Sequence, residues 1–192
     1  MHGIMMNQLR LFSDARLGKG GWERVCGDTG VPTDSYALSQ NYPDEQTLAI
    51  VECLCELLET PRPALMEDFG KFLVPALLRI YGGLLDPGWR TLDVLTHTED
   101  VIHRVVRSRN PGASPPRIEI QRTSPSAVRI LYSSPRKLCG LARGITRGIA
   151  AHLGEPIVIE DISCMHRGDA QCIIAVSVGE QSGATPDRST DA

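Results

Sequence analysis

A histidine at position 103 and the cluster YSSPR, with Tyr132, Ser134 and Arg136 at alternate positions, are the residues whose types and spacing could do chemistry together. The tyrosine follows the histidine by 29 positions. A neutral imidazole binds a metal, whereas hydroxyls and a guanidinium fork hold carboxylates. Facing each other, the two groups would grip one ligand carrying a metal and anionic arms, an arrangement that suits a haem with its axial base and two propionates.

These residues need elements to hold them. His103 lies in DVIH, within a run at 91–109 that reads as a helix. At 100° per residue, Val94, Leu95, Val101, Ile102, Val105 and Val106 form one apolar arc, with Asp93, Asp100, Arg104 and Arg107 opposite. His103 falls at one edge of that arc and His97 at the other, so the helical wheel does not choose between them. A histidine at such an edge is commonly a partly buried polar residue, and a ligand only when something faces it. Tyr132, Ser134 and Arg136, if in a strand, point to the same side; a polar sheet face leading into a turn would show the same pattern.

The rest of the chain supplies two kinds of element. Residues 2–16 carry Ile4, Met5, Leu9, Leu11 and Phe12 at helical spacing, ended by glycines 18, 20 and 21, with a short helix expected over 22–26 and a loop over 27–43. Pro43, Asp44 and Glu45 open a helix through LAIVECLCELLE. PALMEDFGKFLVPALLRIY is a further helix, which Pro75 is expected to kink or split. After Pro116 the period changes to alternation. RIEIQRT and AVRILYS read as a hairpin around SPS, KLCGLARGITRGIAAHLG as a helix, and PIVIEDISCM and QCIIAVSV as two more strands around the turn HRGDA. The expected fold is α+β: a helical N-terminal half packed on a C-terminal four-stranded antiparallel sheet with a crossing helix. One domain over 1–178 is expected, with a disordered tail at 179–192 rich in Gly, Ser, Thr, Pro and Asp.

Composition narrows the function. A net charge of −3 without a Lys/Arg run argues against nucleic-acid binding. No apolar run reaches membrane-spanning length, and MHGIMMNQLRLF lacks the features of a signal peptide, so a cytoplasmic location is the default. The 6 cysteines then read as reduced thiols or metal ligands. Cys139, Cys164 and Cys172, with a nitrogen or oxygen ligand, could make a tetrahedral zinc site; buried packing is the plainer reading, and it is the one given to Cys26, Cys53 and Cys55. No Ser-His-Asp order, phosphate loop or carboxylate pair marks an enzyme.

MHGIMMNQL at the start, DVIH followed by GASPP, and YSSPRKLCGL together resemble the haem-nitric oxide/oxygen binding (H-NOX) family, which includes bacterial gas sensors and the haem domain of soluble guanylate cyclase. The resemblance runs from Met1 to about Val178. It implies haem b with His103 as axial ligand, Tyr132, Ser134 and Arg136 on the propionates, and Pro116 pressing on the haem. It implies that Met5, Leu9, Leu73 and Leu141 line the gas side, with Leu141 where oxygen-binding members place a tyrosine. A side without donors implies nitric oxide or carbon monoxide rather than oxygen, because bound dioxygen gains from a donor and nitric oxide needs none. By the same resemblance, nitric oxide would weaken the bond to His103, and the movement would pass to a separate partner, often a histidine kinase or a cyclic-dinucleotide enzyme.

Some members of that family are similar in having three cysteines and a histidine that bind zinc. The histidine's position falls on Asp161 here, so His166 or Asp161 would have to complete the set. Two alternatives accompany the gas sensor. One is a zinc-thiolate redox sensor. The other is a haem-free small-molecule-binding regulatory domain, since the last sixty residues also resemble, more weakly, 4-vinyl reductase domains with their Gly-Asp-x-x-Cys ending.

Overall fold

The computed structural model describes residues 1–179 except positions 34, 35, 38, 39, 111 and 113; the tail expected to be disordered therefore lies almost wholly outside the described residues. The N-terminal half is helical: α1 (Gly3–Leu17), α2 (Gly21–Thr29), α3 (Asp44–Leu57) and α4 (Arg62–Tyr81). Their apolar stripes meet in one core, in which Phe12, Trp22, Ile50, Leu54 and Phe69 are almost wholly shielded from solvent. Phe12 packs against Phe69 and Phe72 at ring separations of 5.3 and 5.4 Å.

Pro75 does not split α4, which runs unbroken from Arg62 to Tyr81. The lost backbone donor is tolerated because Leu73, Val74 and Ala76 around it are all buried, and packing holds the helix through the gap. The partner in that packing is α7 (Cys139–His152), which lies against α4 at backbone distance. A Cβ added at Gly144 would sit 2.1 Å from the Glu67 carbonyl oxygen, and one at Gly70 would sit 2.6 Å from that of Leu141. Only glycine permits this approach. Around it, Glu67 takes Nε of both Arg143 and Arg147, at 3.0 and 2.7 Å.

The C-terminal half is the expected antiparallel sheet. Strands β1 (Arg117–Ser124), β2 (Ala127–Ser133), β3 (Ile157–Ser163) and β4 (Cys172–Val178) stand in the order β1-β2-β4-β3. Alternation puts Val128, Ile130 and Tyr132 of β2 and Cys172, Ile174 and Val176 of β4 on one buried face. That face packs on α7 and on α5 (Thr91–Thr96). Between the two halves runs the histidine segment, which departs from a simple helix. After α5 the backbone opens into a π turn over Thr98–His103 before α6 (Arg104–Arg109). No helix among the described residues is long and apolar enough to cross a membrane.

Candidate functional site

A cavity of about 530 Å³ lies where α1, α4 and α7, the histidine segment and the inner face of the sheet converge. That is within the roughly 300–1,000 Å³ of ordinary cofactor sites. Its walls are mostly apolar, including Ile118, Ile120 and Ile130 from the sheet and Leu73, Leu77 and Leu78 from α4.

The histidine segment is tied at its start. The Glu155 carboxylate accepts the Thr91 backbone N–H at 2.7 Å and Arg90 Nε at 2.9 Å, while Asp93 accepts the Arg90 backbone N–H at 3.0 Å. The π turn then brings Thr98, Ile102, His103 and Val106 to the cavity wall. Such turns interrupt α-helices frequently at functional sites. The His103 side chain is 14% exposed, and its Nδ1 lies 2.8 Å from Oε2 of Glu99. Burial pushes the Glu99 carboxyl up, but hydrogen bonds from His103 and Arg107 outweigh it and hold the group below its ordinary range. With Nδ1 donating to that carboxylate, Nε2 is the nitrogen that keeps a lone pair. His97 is elsewhere: its ring stacks on Trp89 at 4.2 Å, and Nδ1 bonds the Asp93 carbonyl oxygen at 2.8 Å.

The YSSPR cluster meets the same cavity, though not as a single strand face. β2 ends at Ser133, so Ser134 and Arg136 belong to the turn beyond it. Tyr132 and Arg136 line the cavity, whereas Ser134 does not. The Tyr132 hydroxyl accepts the Leu138 backbone N–H at 3.1 Å, and the Ser134 hydroxyl accepts that of Arg136 at 3.3 Å. Burial pushes the Tyr132 phenol up despite its hydrogen bonds to Ser134 and Leu138, so it is a neutral hydroxyl. The Arg136 guanidinium gives Nη1 to both oxygens of Asp44, at 3.0 and 3.2 Å, and Nη2 to the Ser114 carbonyl oxygen. Pro115 and Pro116 border the cavity beside it.

Of the residues expected on the gas side, Met5, Leu73 and Leu141 line the cavity and Leu9 does not. Leu9 is 1% exposed and packs with Met6 and Phe12 in the helical core, so its helical spacing reported core membership. Sequence reasoning missed Glu99, Asp44 and His2. Glu99 precedes His103 by one helical turn, a spacing at which side chains meet, and that signal was available. His2 caps α1 through Nδ1, 3.4 Å from the Ile4 backbone nitrogen, and also borders the cavity. Nothing local in the sequence pointed to Asp44 as the partner of Arg136.

An imidazole with one nitrogen pinned and the other available, an apolar chamber, and a hydroxyl and guanidinium lining the same cavity from other elements are a donor set that fits a haem.

The three thiols also come together. Cys139, Cys164 and Cys172 are buried with their sulfur atoms within 4.8 Å of one another; Cys139 to Cys164 is 3.8 Å and Cys164 to Cys172 is 4.0 Å. Burial and the neighbouring thiols push Cys139 up to about 12. Neither expected fourth ligand joins them. His166 is exposed, with Nε2 2.8 Å from the Lys137 carbonyl oxygen, and Asp161 pairs with Arg143 at 3.0 Å. Cys26 is buried and Cys53 and Cys55 half-buried, all three within the helical core, in keeping with a packing role.

The chain matches the model of the haem-NO-binding family over residues 2–161. It is similar to an H-NOX protein from S. oneidensis crystallised in the Fe(II)NO ligation state, with 27% identity and a TM-score of 0.87 over 93% of this chain and 99% of the other. An NMR structure of an H-NOX domain from Shewanella oneidensis in the Fe(II)CO ligation state is similar at 28% identity and a TM-score of 0.83, over 94% and 99%. The unliganded Fe(II) H-NOX protein from K. algicida, at 17% identity and a TM-score of 0.82 over 95% and 98%, shares the fold. No curated protein matches the chain at a significant level.

Proposed function

The chain belongs to the haem-NO-binding family, a haem-based sensory domain rather than an enzyme, and on that premise we propose that it reads nitric oxide and carbon monoxide, not oxygen, for a separate partner protein. The observation that carries this reading is the cavity itself: His103 on one wall with its Nδ1 committed to Glu99, and Tyr132 and Arg136 on another.

Haem b, when bound, would supply a ferrous iron able to take a diatomic gas. The protein's own residues do the rest. His103 would hold the iron through Nε2. Tyr132 and Arg136 would hold the propionates, with the Ser134 hydroxyl accepting the Arg136 backbone N–H. Arg136 keeps donors to spare for this, since a guanidinium carries five and three of its contacts are accounted for by Asp44 and Ser114. Pro116, which borders the cavity, would press on the ring. Met5, Leu73 and Leu141 would present carbon and sulfur to the gas, and Leu9 belongs to the core against which Met5 and Leu141 pack. Such a wall favours ligands that need no hydrogen bond.

The signal leaves through His103. If its Nε2 were freed, the segment from Thr98 to Arg109 would lose its hold on the cavity while its start stayed tied to Glu155, and the two halves of the domain could change their relation. One domain over 1–178 in the cytoplasm, acting on a histidine kinase or a cyclic-dinucleotide enzyme, accommodates this output.

The test is spectroscopic. Purified protein should show a Soret band that is lost in His103→Ala and restored by imidazole, and ferrous protein in air should give no stable oxygenated spectrum. A long-lived oxygenated spectrum would sink the selectivity; a protein with no Soret band would point to a haem-free binding module.

The thiol cluster supports a second element of function. Three buried sulfurs within 4.8 Å of one another suit a zinc ion, with His166 or Asp161 turning in, or a water, as fourth ligand. Oxidation of those thiols would release the metal and reshape the sheet, giving a redox input.

A further inference from the structure

Three residues of the histidine segment are joined in a relay. Oε2 of Glu99 lies 2.8 Å from Nδ1 of His103, and Oε1 of the same carboxylate lies 2.7 Å from Nη2 of Arg107. The carboxylate is thus shared between an imidazole and a guanidinium at nearly equal distances. All three residues stand on the π turn and α6, so the relay travels with His103 wherever the segment moves.

We propose that Glu99 is a positioning residue that sets how strongly His103 holds the iron, and that Arg107 moderates it. This rests on the reading of His103 as the axial ligand. A carboxylate accepting a hydrogen bond from the far nitrogen of a metal-bound imidazole fixes the ring's tautomer and orientation and makes the near nitrogen a stronger donor to the metal. A guanidinium on the carboxylate's other oxygen draws charge away and weakens that push. The pair therefore fixes the threshold at which a gas on the opposite face frees the histidine. A tighter bond to His103 is broken only by a ligand that weakens it strongly, and a looser one yields to weaker ligands as well. Discrimination among gases then resides partly on the histidine side, in residues that never touch the gas.

The geometry would also let the tether survive release. Both bonds of Glu99 lie within residues 99–107, so His103 need not give up its hydrogen bond to leave the iron. The freed imidazole stays oriented and can rebind without searching for its rotamer.

Resonance Raman spectra of the ferrous haem-loaded protein test the proposal through the iron–imidazole stretching band. Glu99→Gln keeps an acceptor near Nδ1 but removes its charge, and should move the band to lower frequency. Arg107→Gln leaves the Glu99–His103 bond in place and should move it to higher frequency. The rate at which nitric oxide frees the histidine should rise about tenfold in the first variant and fall in the second, the scale on which outer-shell partners of metal ligands act. A band unmoved in both variants, or moved the same way in both, overturns the proposal, since a merely structural role predicts no opposition of sign. If Glu99→Gln loses haem, the upward shift in Arg107→Gln still decides it. A Soret band that persists unchanged in His103→Ala would instead show that the axial assignment is wrong, a failure distinct from that of the relay.

Discussion

The Asp44 carboxylate receives Nη1 of Arg136 on both oxygens, at 3.0 and 3.2 Å, and so joins the first turn of α3 to the turn after β2. Helical half and sheet half are latched here, at the edge of the cavity. Burial pushes the Asp44 carboxyl up, but hydrogen bonds from the Met1 amine and the pull of Arg136 outweigh it, leaving the group below its ordinary value of 3.8. A carboxyl lowered on folding stabilises the fold above its unfolded value and loses that contribution as pH falls through the folded one. Acid unfolding should therefore steepen below about pH 4, and Asp44→Asn should flatten the curve there. Urea midpoints at pH 7 and in the acid range, compared between the two proteins, measure this; equal acid sensitivity in both would refute it.

Gly144 faces the Glu67 carbonyl at a distance no side chain can share, 2.1 Å for an added Cβ. Gly144→Ala must push α7 away from α4 and disturb the Glu67 pairs with Arg143 and Arg147. The expected loss is about 1–3 kcal/mol, as for overpacking elsewhere. Gly83→Ala is the control, because an added Cβ there meets nothing within 4 Å. Urea unfolding should rank the two variants far apart.

Much of this architecture could be read from residue patterns, and the shortfalls have physical causes. Alternation placed Val128, Ile130 and Tyr132 on one face correctly because β2 is regular through Ser133; it overreached at Ser134 and Arg136 because the strand has ended before them. The helical wheel left His103 at the edge of an arc because it assumed 3.6 residues per turn throughout. The π turn over Thr98–His103 inserts an extra residue and rotates the helix beyond it, and His103 reaches the cavity wall where His97 does not. Leu9 obeyed its spacing, but spacing cannot separate a core wall from a cavity wall. Asp44 was read only as a helix-opening acid, because its pairing with Arg136 spans 92 positions and depends on tertiary structure.

Cys139, Cys164 and Cys172 should behave as one unit. Burial and mutual repulsion of thiolates push Cys139 up to about 12, and burial raises Cys172 as well, so without metal these two thiols are protonated at neutral pH and react slowly with thiol reagents. A zinc ion would reverse that preference by stabilising the thiolates, and its binding would release protons. Metal analysis should find about one zinc per chain if a tetrahedral site forms, with much less in Cys164→Ser. Native protein with no zinc, after purification without chelators, would leave the thiols as packing.

Glu155 offers the cleanest way to loosen the histidine segment without touching the cavity. Its side chain is 8% exposed and satisfies the Thr91 backbone N–H at 2.7 Å and Arg90 Nε at 2.9 Å, at the very start of α5. Burial pushes its carboxyl up, but the bonds to Thr91 and Arg90 prevail and hold it below the ordinary range, so its hold on α5 is full at neutral pH and fades in acid. Glu155→Ala should cost about 1–2 kcal/mol, the upper part of the range for lost helix caps, and leave the Thr91 N–H without its carboxylate partner. Hydrogen exchange in Thr91–Thr96 should accelerate while the strands β2 and β4 keep their protection. Uniform acceleration across the sheet would mean that Glu155 supports the whole fold rather than the segment that carries His103.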